Sequence, residues 1–163
     1  MFPKELLGLM HMAAGADWHW AAAVAQVESE FNPFAVPIPA NEAYPPEQAK
    51  GLWQMKPSFL ADMLRAIFPR AETLFAASGN PFVEAAAFRA FWTRYTKLPV
   101  EEKLRIFHYG ATGGEKLMEK AQTALATDPQ ADVRAICDPD GYVAKVTAAH
   151  DEIVASSATK KAA

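Results

Sequence analysis

Prolines and glycines divide this chain into short segments, and this division constrains the fold more than any other feature of the sequence. Pro37, Pro39, Pro45 and Pro46 all fall within residues 34–50, where they exclude a regular helix. On both sides of this stretch, apolar residues recur at helical spacing and the pattern stops at proline, glycine or Asn-Pro. The sequence therefore predicts a set of helices and one long Pro-rich loop, or a short β-hairpin in its place.

The composition favours the same fold class. Alanine, leucine, methionine and phenylalanine together outnumber valine and isoleucine, which favours helices over strands. A chain of 163 residues is long enough to bury one core without disulfides. We predict a mainly α, single helical domain over residues 1–157 and a loose tail over residues 158–163. Helices are expected near residues 3–13, 18–31 (with Asp17 as N-cap), 58–68, 81–95, 99–109, 115–126 and 141–156, with a short segment after Pro129.

Charge and cysteine content exclude several classes of partner. The net charge is −3 and Lys and Arg form no block, so we expect no nucleic acid. Cys137 is the only cysteine, which excludes an internal disulfide and a Cys-x-x-Cys metal motif. No apolar run approaches the roughly 18 residues of a membrane span, and the first ten residues lack the pattern of a secretory signal. We expect no metal, no cofactor and no membrane span.

Glu28 lies near the end of a predicted helix that is otherwise almost entirely apolar. Helical periodicity points Glu28 towards the apolar face and Glu30 towards the opposite face. A carboxyl group among apolar side chains tends to keep its proton near neutral pH, as a general acid must. The alternative is a glutamate at a helix end that turns out to solvent. The residues that share the arc of Glu28 are Ala21, Val24, Ala25 and Phe31.

A second polar element follows the Pro-rich loop, at residues 49–57. Gly51 allows a close backbone approach, and Gln54 offers a donor and an acceptor in an apolar stretch. Together with the flat ring of Trp53, they could line a sugar-binding site. The alternative is a junction between loop and helix in which Trp53 fills the core.

These two elements together resemble the motifs of soluble lytic transglycosylases and the related goose-type lysozymes. Residues 28–33 read Glu-Ser-x-Phe-Asn-Pro, and residues 49–57 read Ala-x-Gly-Leu-x-Gln-x-x-Pro. A third motif of that family, with a tyrosine near the acid, is similar to residues 107–114 and identifies Tyr109. The fourth, with an acid and a tyrosine, is similar to residues 138–143 and identifies Asp138 and Tyr142.

The resemblance implies a lysozyme-like fold of the mainly α or α+β kind, with a cleft between the Glu28 helix and the bundle that contains Tyr109. It also implies a lytic transglycosylase, which cleaves the β-1,4 bond between N-acetylmuramic acid and N-acetylglucosamine. Glu28 is then the general acid and afterwards the base, and the product carries a 1,6-anhydro end. The substrate contacts implied are Gly51, Trp53, Gln54, Lys56, Tyr109, Asp138 and Tyr142.

Two alternatives remain open at this stage. A hydrolytic muramidase would need a second carboxylate to position water, and Glu42 or Glu47 in the Pro-rich loop could supply it. A non-catalytic glycan-binding module of the same fold is the other alternative. It is suggested by Lys56, which replaces the methionine usual in the family, and by the altered third motif.

Other polar and aromatic side chains receive simpler interpretations. We expect His108 to be a capped or surface residue rather than a base. The helix near residues 81–95 carries aromatic residues, including Phe82, that we assign to the core. Glu84 and its neighbour Arg89 are expected on the solvated face of that helix.

Peptidoglycan glycan strands are the partner that the resemblance implies, with virion or secretion-system components as further partners of a phage or export-associated enzyme. We expect a monomer that acts in the periplasm or cell wall. In the absence of a recognisable signal peptide, the protein would reach that compartment in a virion or by another export route.

Overall fold

The structure is a computed structural model, and it describes residues 2–36, 48–65 and 79–159. Within these ranges the chain forms α-helices joined by short connections. Two 3₁₀ turns, Lys4–Leu6 and Gly15–Asp17, precede the first two helices. The helices are α1 (Leu7–Ala14), α2 (Trp18–Ser29), α3 (Pro57–Leu64), α4 (Pro81–Arg94), α5 (Val100–Tyr109), α6 (Ala111–Thr127), α7 (Val133–Cys137) and α8 (Tyr142–Thr159).

The described residues divide into two compact helical units. The first comprises residues 1–94 and 149–163, and the second comprises residues 95–148. In the first unit, α1 packs against α2 and α4, and α3 packs against α4. In the second unit, α6 packs against both α5 and α7.

The prediction of a mainly α fold is confirmed. The described residues contain no β-strand, only an isolated antiparallel bridge between Lys50 and Met55. Residues 37–47, where a loop or short hairpin was expected, lie outside the described residues. The last helix extends to Thr159, two residues beyond the expected end of the domain, and residues 160–163 also lie outside the described part. The division at residue 157 stays a prediction.

The start of α6 differs from the sequence prediction. A break was expected at Gly113 and Gly114, but the helix begins at Ala111 and contains both glycines. The chain changes direction at Gly110 instead, where φ is +74°, a conformation that suits glycine. A Cβ atom on Gly114 would lie 3.7 Å from Ile106, an ordinary van der Waals distance, so the packing of α6 on α5 does not require glycine at this position.

Two side-chain predictions in the first unit are wrong. Asp17 precedes α2, but it does not cap the helix with its side chain. Its carboxylate instead accepts a hydrogen bond from the indole N–H of Trp92 at 3.0 Å. Phe82, assigned to the core, is 64% exposed, while Phe88 and Phe91 on the same helix are completely buried. Long-range packing selected one face of this helix, and local aromatic content could not predict which.

Candidate functional site

The end of α2 presents Glu28 beside a sharp change in backbone direction. The helix ends at Ser29 because Glu30 and Phe31 adopt left-handed conformations, with φ of 53° and 65°. Glu28 is half-buried in the last turn, and Glu30 is exposed. The preceding helical positions 21–25 are completely buried. Glu28 and Glu30 therefore differ in exposure, as expected, although Glu30 lies beyond the helix and its direction follows from its left-handed backbone.

Ser29 joins the end of α2 to the segment that follows the Pro-rich stretch. Its hydroxyl lies 2.8 Å from the carbonyl oxygen of Leu52 and 3.0 Å from that of Ala25, with both carbonyls as acceptors. The residue next to Glu28 thus binds the turn formed by residues 51–54, hereafter the 51–54 turn. Ser29 lies within the first motif, although no role was predicted for it from the sequence.

Gln54 stabilises the backbone of the 51–54 turn. Its side-chain amide donates to the carbonyl oxygens of Gly51 at 2.9 Å and Ala35 at 3.0 Å. Both Gly51 and Gln54 have positive φ, +80° and +47°, which produces the tight reversal. Two roles are possible for Gln54, contact with an acetamido group or support of a backbone turn. The hydrogen bonds of its amide nitrogen are those of the second role.

Trp53 lies inside the first unit. Its ring is completely buried, and its indole N–H donates to the carbonyl oxygen of Ala21 in α2 at 2.8 Å. The ring centroid lies 5.5 Å from that of Phe88. The ring therefore offers no exposed face to a sugar, in contrast to the expected stacking surface, and its burial fits the alternative of a core residue. Lys56, just before α3, is exposed.

Glu84 is the largest departure from the sequence prediction. We expected it on a solvated face, but it is completely buried and its carboxyl group faces the 51–54 turn. Oε2 accepts a long hydrogen bond of 3.4 Å from the backbone N–H of Trp53. A Cβ atom on Gly51 would lie only 2.0 Å from Oε1 of Glu84, so the contact requires glycine. Burial raises the pKa of Glu84 to about 7, against the opposing effect of the backbone amides of Trp53 and Leu52.

The second unit holds a separate polar cluster around Asp140. The hydroxyl of Tyr109 donates to Oδ1 of Asp140 at 2.5 Å, and the Nε2 atom of His108 lies 2.7 Å from Oδ2. Burial raises the pKa of Asp140, but the hydrogen bonds from Tyr109 and His108 outweigh it and lower the pKa to about 2. Burial, followed by the contact with Asp140, raises the pKa of the Tyr109 hydroxyl far above its usual range. The cluster therefore keeps Asp140 anionic and Tyr109 neutral.

Asp138 and Tyr142 are buried in the second unit, and their contacts stabilise it. The carboxylate of Asp138 accepts the N–H groups of Val143 at 2.9 Å and Ala144 at 3.0 Å, which caps the start of α8. The ring of Tyr142 stacks on His108 with centroids 3.9 Å apart. Neither side chain presents an open surface of the kind expected of a substrate contact.

Comparison with known protein families shows which family the chain belongs to. A family model described as the transglycosylase SLT domain matches residues 10–123, well over half of the 163 residues. The chain belongs to this family. The resemblance to lytic transglycosylases is thereby confirmed. No curated protein and no solved structure matches this SLT domain.

The match covers only some of the candidate site residues. Glu28, the 51–54 turn and Tyr109 fall inside the matched span of the SLT domain, whereas Asp138 and Tyr142 fall beyond it. Ser29, Glu84 and Asp140 were not among the site residues predicted from the sequence. Glycine at position 51 was the one available signal for Glu84, since it indicates close approach by an unnamed group. Asp140, between Pro139 and Gly141, has the sequence pattern of an ordinary turn.

The described part of this SLT domain holds no group of three or more His, Cys, Asp or Glu residues arranged to bind a metal ion. None of its described helices is both long enough and apolar enough to cross a membrane. Glu42 and Glu47, the candidate second carboxylates of a hydrolase, lie outside the described residues. The cleft between the Glu28 helix and the Tyr109 bundle stays a prediction.

Proposed function

We propose that this SLT domain is an active lytic transglycosylase that cleaves the β-1,4 bond between N-acetylmuramic acid and N-acetylglucosamine in peptidoglycan. The observation that carries the proposal is the position of Glu28, half-buried in the last turn of α2 and adjacent to Ser29, which binds the 51–54 turn. Membership of the SLT family supports the substrate class. A partly shielded carboxyl group at the end of a rigid helix is a suitable general acid.

In the proposed reaction, Glu28 first donates its proton to the glycosidic oxygen, and the bond from that oxygen to C1 of the muramic residue breaks. The sugar passes through an oxocarbenium-like state. The 6-hydroxyl of the same muramic residue then attacks C1 and transfers its proton to the Glu28 carboxylate. The product is a 1,6-anhydro end, no water is consumed, and Glu28 regains its starting state.

We assign the remaining candidate residues to contacts or support. The Tyr109 hydroxyl donates a hydrogen bond to Asp140, so its oxygen can accept a hydrogen bond from a sugar hydroxyl. Lys56 is exposed and offers a positive charge to the carboxylates of peptidoglycan. Gly51, Trp53 and Gln54 act through the shape of the 51–54 turn. Asp138 and Tyr142 act through the fold of the second unit.

Substitution of Glu28 by Gln tests the proposal, with Glu30→Gln as the matched control. Glu30 is an exposed carboxylate two residues away on the same segment. Loss of a positioned acid should lower the rate of clearing of purified cell walls by about 10²- to 10⁴-fold, whereas Glu30→Gln should stay near the wild-type rate. Equal activity of wild type and Glu28→Gln would remove Glu28 from the mechanism.

Mass spectrometry of the released fragments separates the proposed activity from its alternatives. Anhydro ends support a transglycosylase, and reducing ends heavier by one water identify a muramidase. In the second case, Glu42→Gln and Glu47→Gln would show which carboxylate activates water. A wild-type protein that sediments with cell walls but never cleaves them would instead be a glycan-binding module.

We propose the periplasm or cell wall as the site of action, reached in a virion or by an export route, and a monomeric enzyme. Immunodetection in fractionated host cells or in purified virions tests the first statement. Sedimentation equilibrium across a concentration series tests the second, since a dimer would show twice the mass expected from 163 residues.

A further inference from the structure

Glu84 is a buried ionisable group for which the proposed reaction has no role. It projects from the first turn of α4, is completely buried, and has no salt-bridge partner among the described residues. Its Oε2 atom accepts the N–H of Trp53, and within the described structure Oε1 has no hydrogen-bond partner. A buried carboxyl group with so few partners is unfavourable for stability, so its presence calls for another explanation.

The 51–54 turn lies between Glu84 and α2. On the Glu84 side, the carboxyl group occupies the space where a Cβ of residue 51 would be, with all three of its terminal atoms within 2.6 Å of that position. On the α2 side, the carbonyl of Leu52 accepts from Ser29, and the indole of Trp53 donates to Ala21. A shift of the turn at Glu84 would therefore change the hydrogen bond made by the residue next to Glu28.

We propose that Glu84 is a positioning residue for the glycan-cleavage reaction, which holds the 51–54 turn against the end of α2 and thereby fixes the geometry of Glu28. The inference rests on the proposed function. Glu84 does not touch the reacting atoms. It acts through the amide of Trp53 and through the hydrogen bond between Ser29 and Leu52.

The raised pKa of Glu84 supports this role, because burial allows the group to change charge near neutral pH. The shift is due to burial and is opposed by the two turn amides, and among the described residues no charged side chain contributes to it. The titratable groups on the surrounding elements make other contacts or are exposed to solvent. His11 on α1 lies 3.1 Å from the Gly15 carbonyl, and Asp62 on α3 pairs with Arg94. Lys50 lies beside Gly79, Lys56 is exposed, and Arg89 on α4 is exposed beside Gly15.

Ionisation of Glu84 should consequently move the turn. The neutral form fits the apolar surroundings, whereas the carboxylate attracts the N–H groups of Leu52 and Trp53 more strongly. This movement of the turn alters the position of Leu52 relative to Ser29. Misplacement of a reacting group by about 1 Å can lower a rate by about 10²-fold.

The experiment compares Glu84→Leu and Glu84→Gln with the wild type on soluble uncrosslinked glycan strands, with Ser29→Ala as a second way to break the same connection. Glu84→Leu removes the acceptor for the Trp53 amide, and we expect kcat to fall about tenfold or more while KM stays within about twofold. Glu84→Gln keeps an acceptor oxygen and should restore most of the lost kcat. Ser29→Ala should reproduce the kcat effect of Glu84→Leu.

The pH profile provides a readout that a purely structural role would not change. In the wild type, kcat should fall as pH rises through about 7, where Glu84 loses its proton. Glu84→Gln cannot ionise, so this fall should be weaker in that variant than in the wild type. Superimposable wild-type and Glu84→Gln profiles, or a Glu84→Leu variant with wild-type kcat, would overturn the proposal.

Amide hydrogen exchange distinguishes failure of this inference from failure of the proposed function. Exchange at Trp53 should accelerate in Glu84→Leu and stay near the wild-type rate in Glu84→Gln, whether or not Glu28 is the acid. If Glu28→Gln remains active, the proposed mechanism fails, and exchange at Trp53 still decides whether Glu84 holds the turn. If Glu84→Leu does not fold, Glu84→Gln and Ser29→Ala decide through their kcat and pH profiles.

Discussion

The hydroxyl of Tyr109 donates a hydrogen bond to Asp140 across 2.5 Å, and this contact determines which way the tyrosine can act. With its proton directed at a carboxylate, the phenol oxygen can take part in a further hydrogen bond only as an acceptor, which is the role that we propose for it towards a sugar hydroxyl. The Asp140 carboxylate also accepts hydrogen bonds from His108 and from the backbone N–H of Tyr142, so one carboxylate orients several groups of the second unit.

Asp140→Asn should therefore weaken the hydrogen bond made by the Tyr109 hydroxyl without removing the tyrosine. Because an anionic acceptor is replaced by a neutral one, we expect cell-wall clearing to fall by on the order of tenfold. Spectrophotometric titration should also show one tyrosine that ionises at lower pH than in the wild type. Asp151→Asn is a matched control, since Asp151 is an exposed carboxylate 3.1 Å from His150. An unchanged tyrosine titration would contradict the assigned contact.

The same contact predicts that the stability of the folded protein depends on pH under acidic conditions. The pKa of Asp140 falls from 3.8 to about 2 on folding, so its contribution to stability is present above about pH 4 and is lost as pH falls towards 2. Half of the Asp140 side chain is exposed, so solvent screening makes the contribution small. Urea denaturation at pH 4 and pH 2 should show a smaller loss of stability for Asp140→Asn than for the wild type.

Glu84 predicts the opposite pH dependence. Its folded pKa of about 7 lies above the ordinary value of 4.5, so the folded state holds the proton more tightly than the unfolded chain. Stability should be highest below about pH 4.5 and fall as pH rises through 7, by roughly 3 kcal/mol in total. Denaturation curves at several pH values should show this slope in the wild type, and its absence in Glu84→Gln. A slope that persists in Glu84→Gln would assign the titration to another group.

Gly51→Ala should destabilise the protein far more than a comparable substitution at Gly79. Both glycines have positive φ, +80° and +84°, so alanine introduces similar backbone strain at each. At Gly51 the new Cβ would also meet the Glu84 carboxyl at 2.0 Å, whereas at Gly79 the nearest atom is 3.6 Å away. Strain alone costs about 1–2 kcal/mol.

In thermal denaturation, we expect Gly51→Ala to lower the free energy of unfolding by several times this strain cost. Gly79→Ala should lower it by about the strain cost alone. Adding Glu84→Ala to Gly51→Ala should recover part of the loss, because it removes the atoms that clash. Equal effects at the two glycines would show that the turn and Glu84 are not in contact.

Trp53→Phe tests whether this ring belongs to the core or to the sugar site. The Ala21 carbonyl keeps its helical N–H partner in α2, so the cost comes from the lost indole hydrogen bond and the smaller ring, which together should lower the free energy of unfolding by about 1–3 kcal/mol. Because the ring is completely buried, KM for glycan strands should hardly change. Trp20→Phe, at a half-buried tryptophan stacked on His150, should have a smaller effect on stability. A weaker affinity at unchanged stability would instead place Trp53 against the substrate.

Much of the helical framework could be predicted from local sequence. Asn80 and Pro81 start α4 as expected, with the Asn80 side chain accepting the N–H of Phe82 at 3.0 Å. The motif at residues 28–33 led to the family that the comparison confirmed. These signals act over a few residues, because a missing N–H, a capping side chain or an allowed positive φ affects its immediate neighbours.

The partners of the polar side chains were decided by tertiary structure. Asp17 has the sequence context of an N-cap, yet its carboxylate binds Trp92, which is 75 residues away in the chain. Glu84 follows helical periodicity onto a face assigned to solvent, yet that face packs on a turn 31 residues earlier. Local patterns thus determined the ends of most helices, with the start of α6 as an exception, and long-range packing determined which carboxylates are buried. The physical reason is that the pKa and the hydrogen-bond partners of a side chain depend on the atoms around it in space, and a single helix does not specify those atoms.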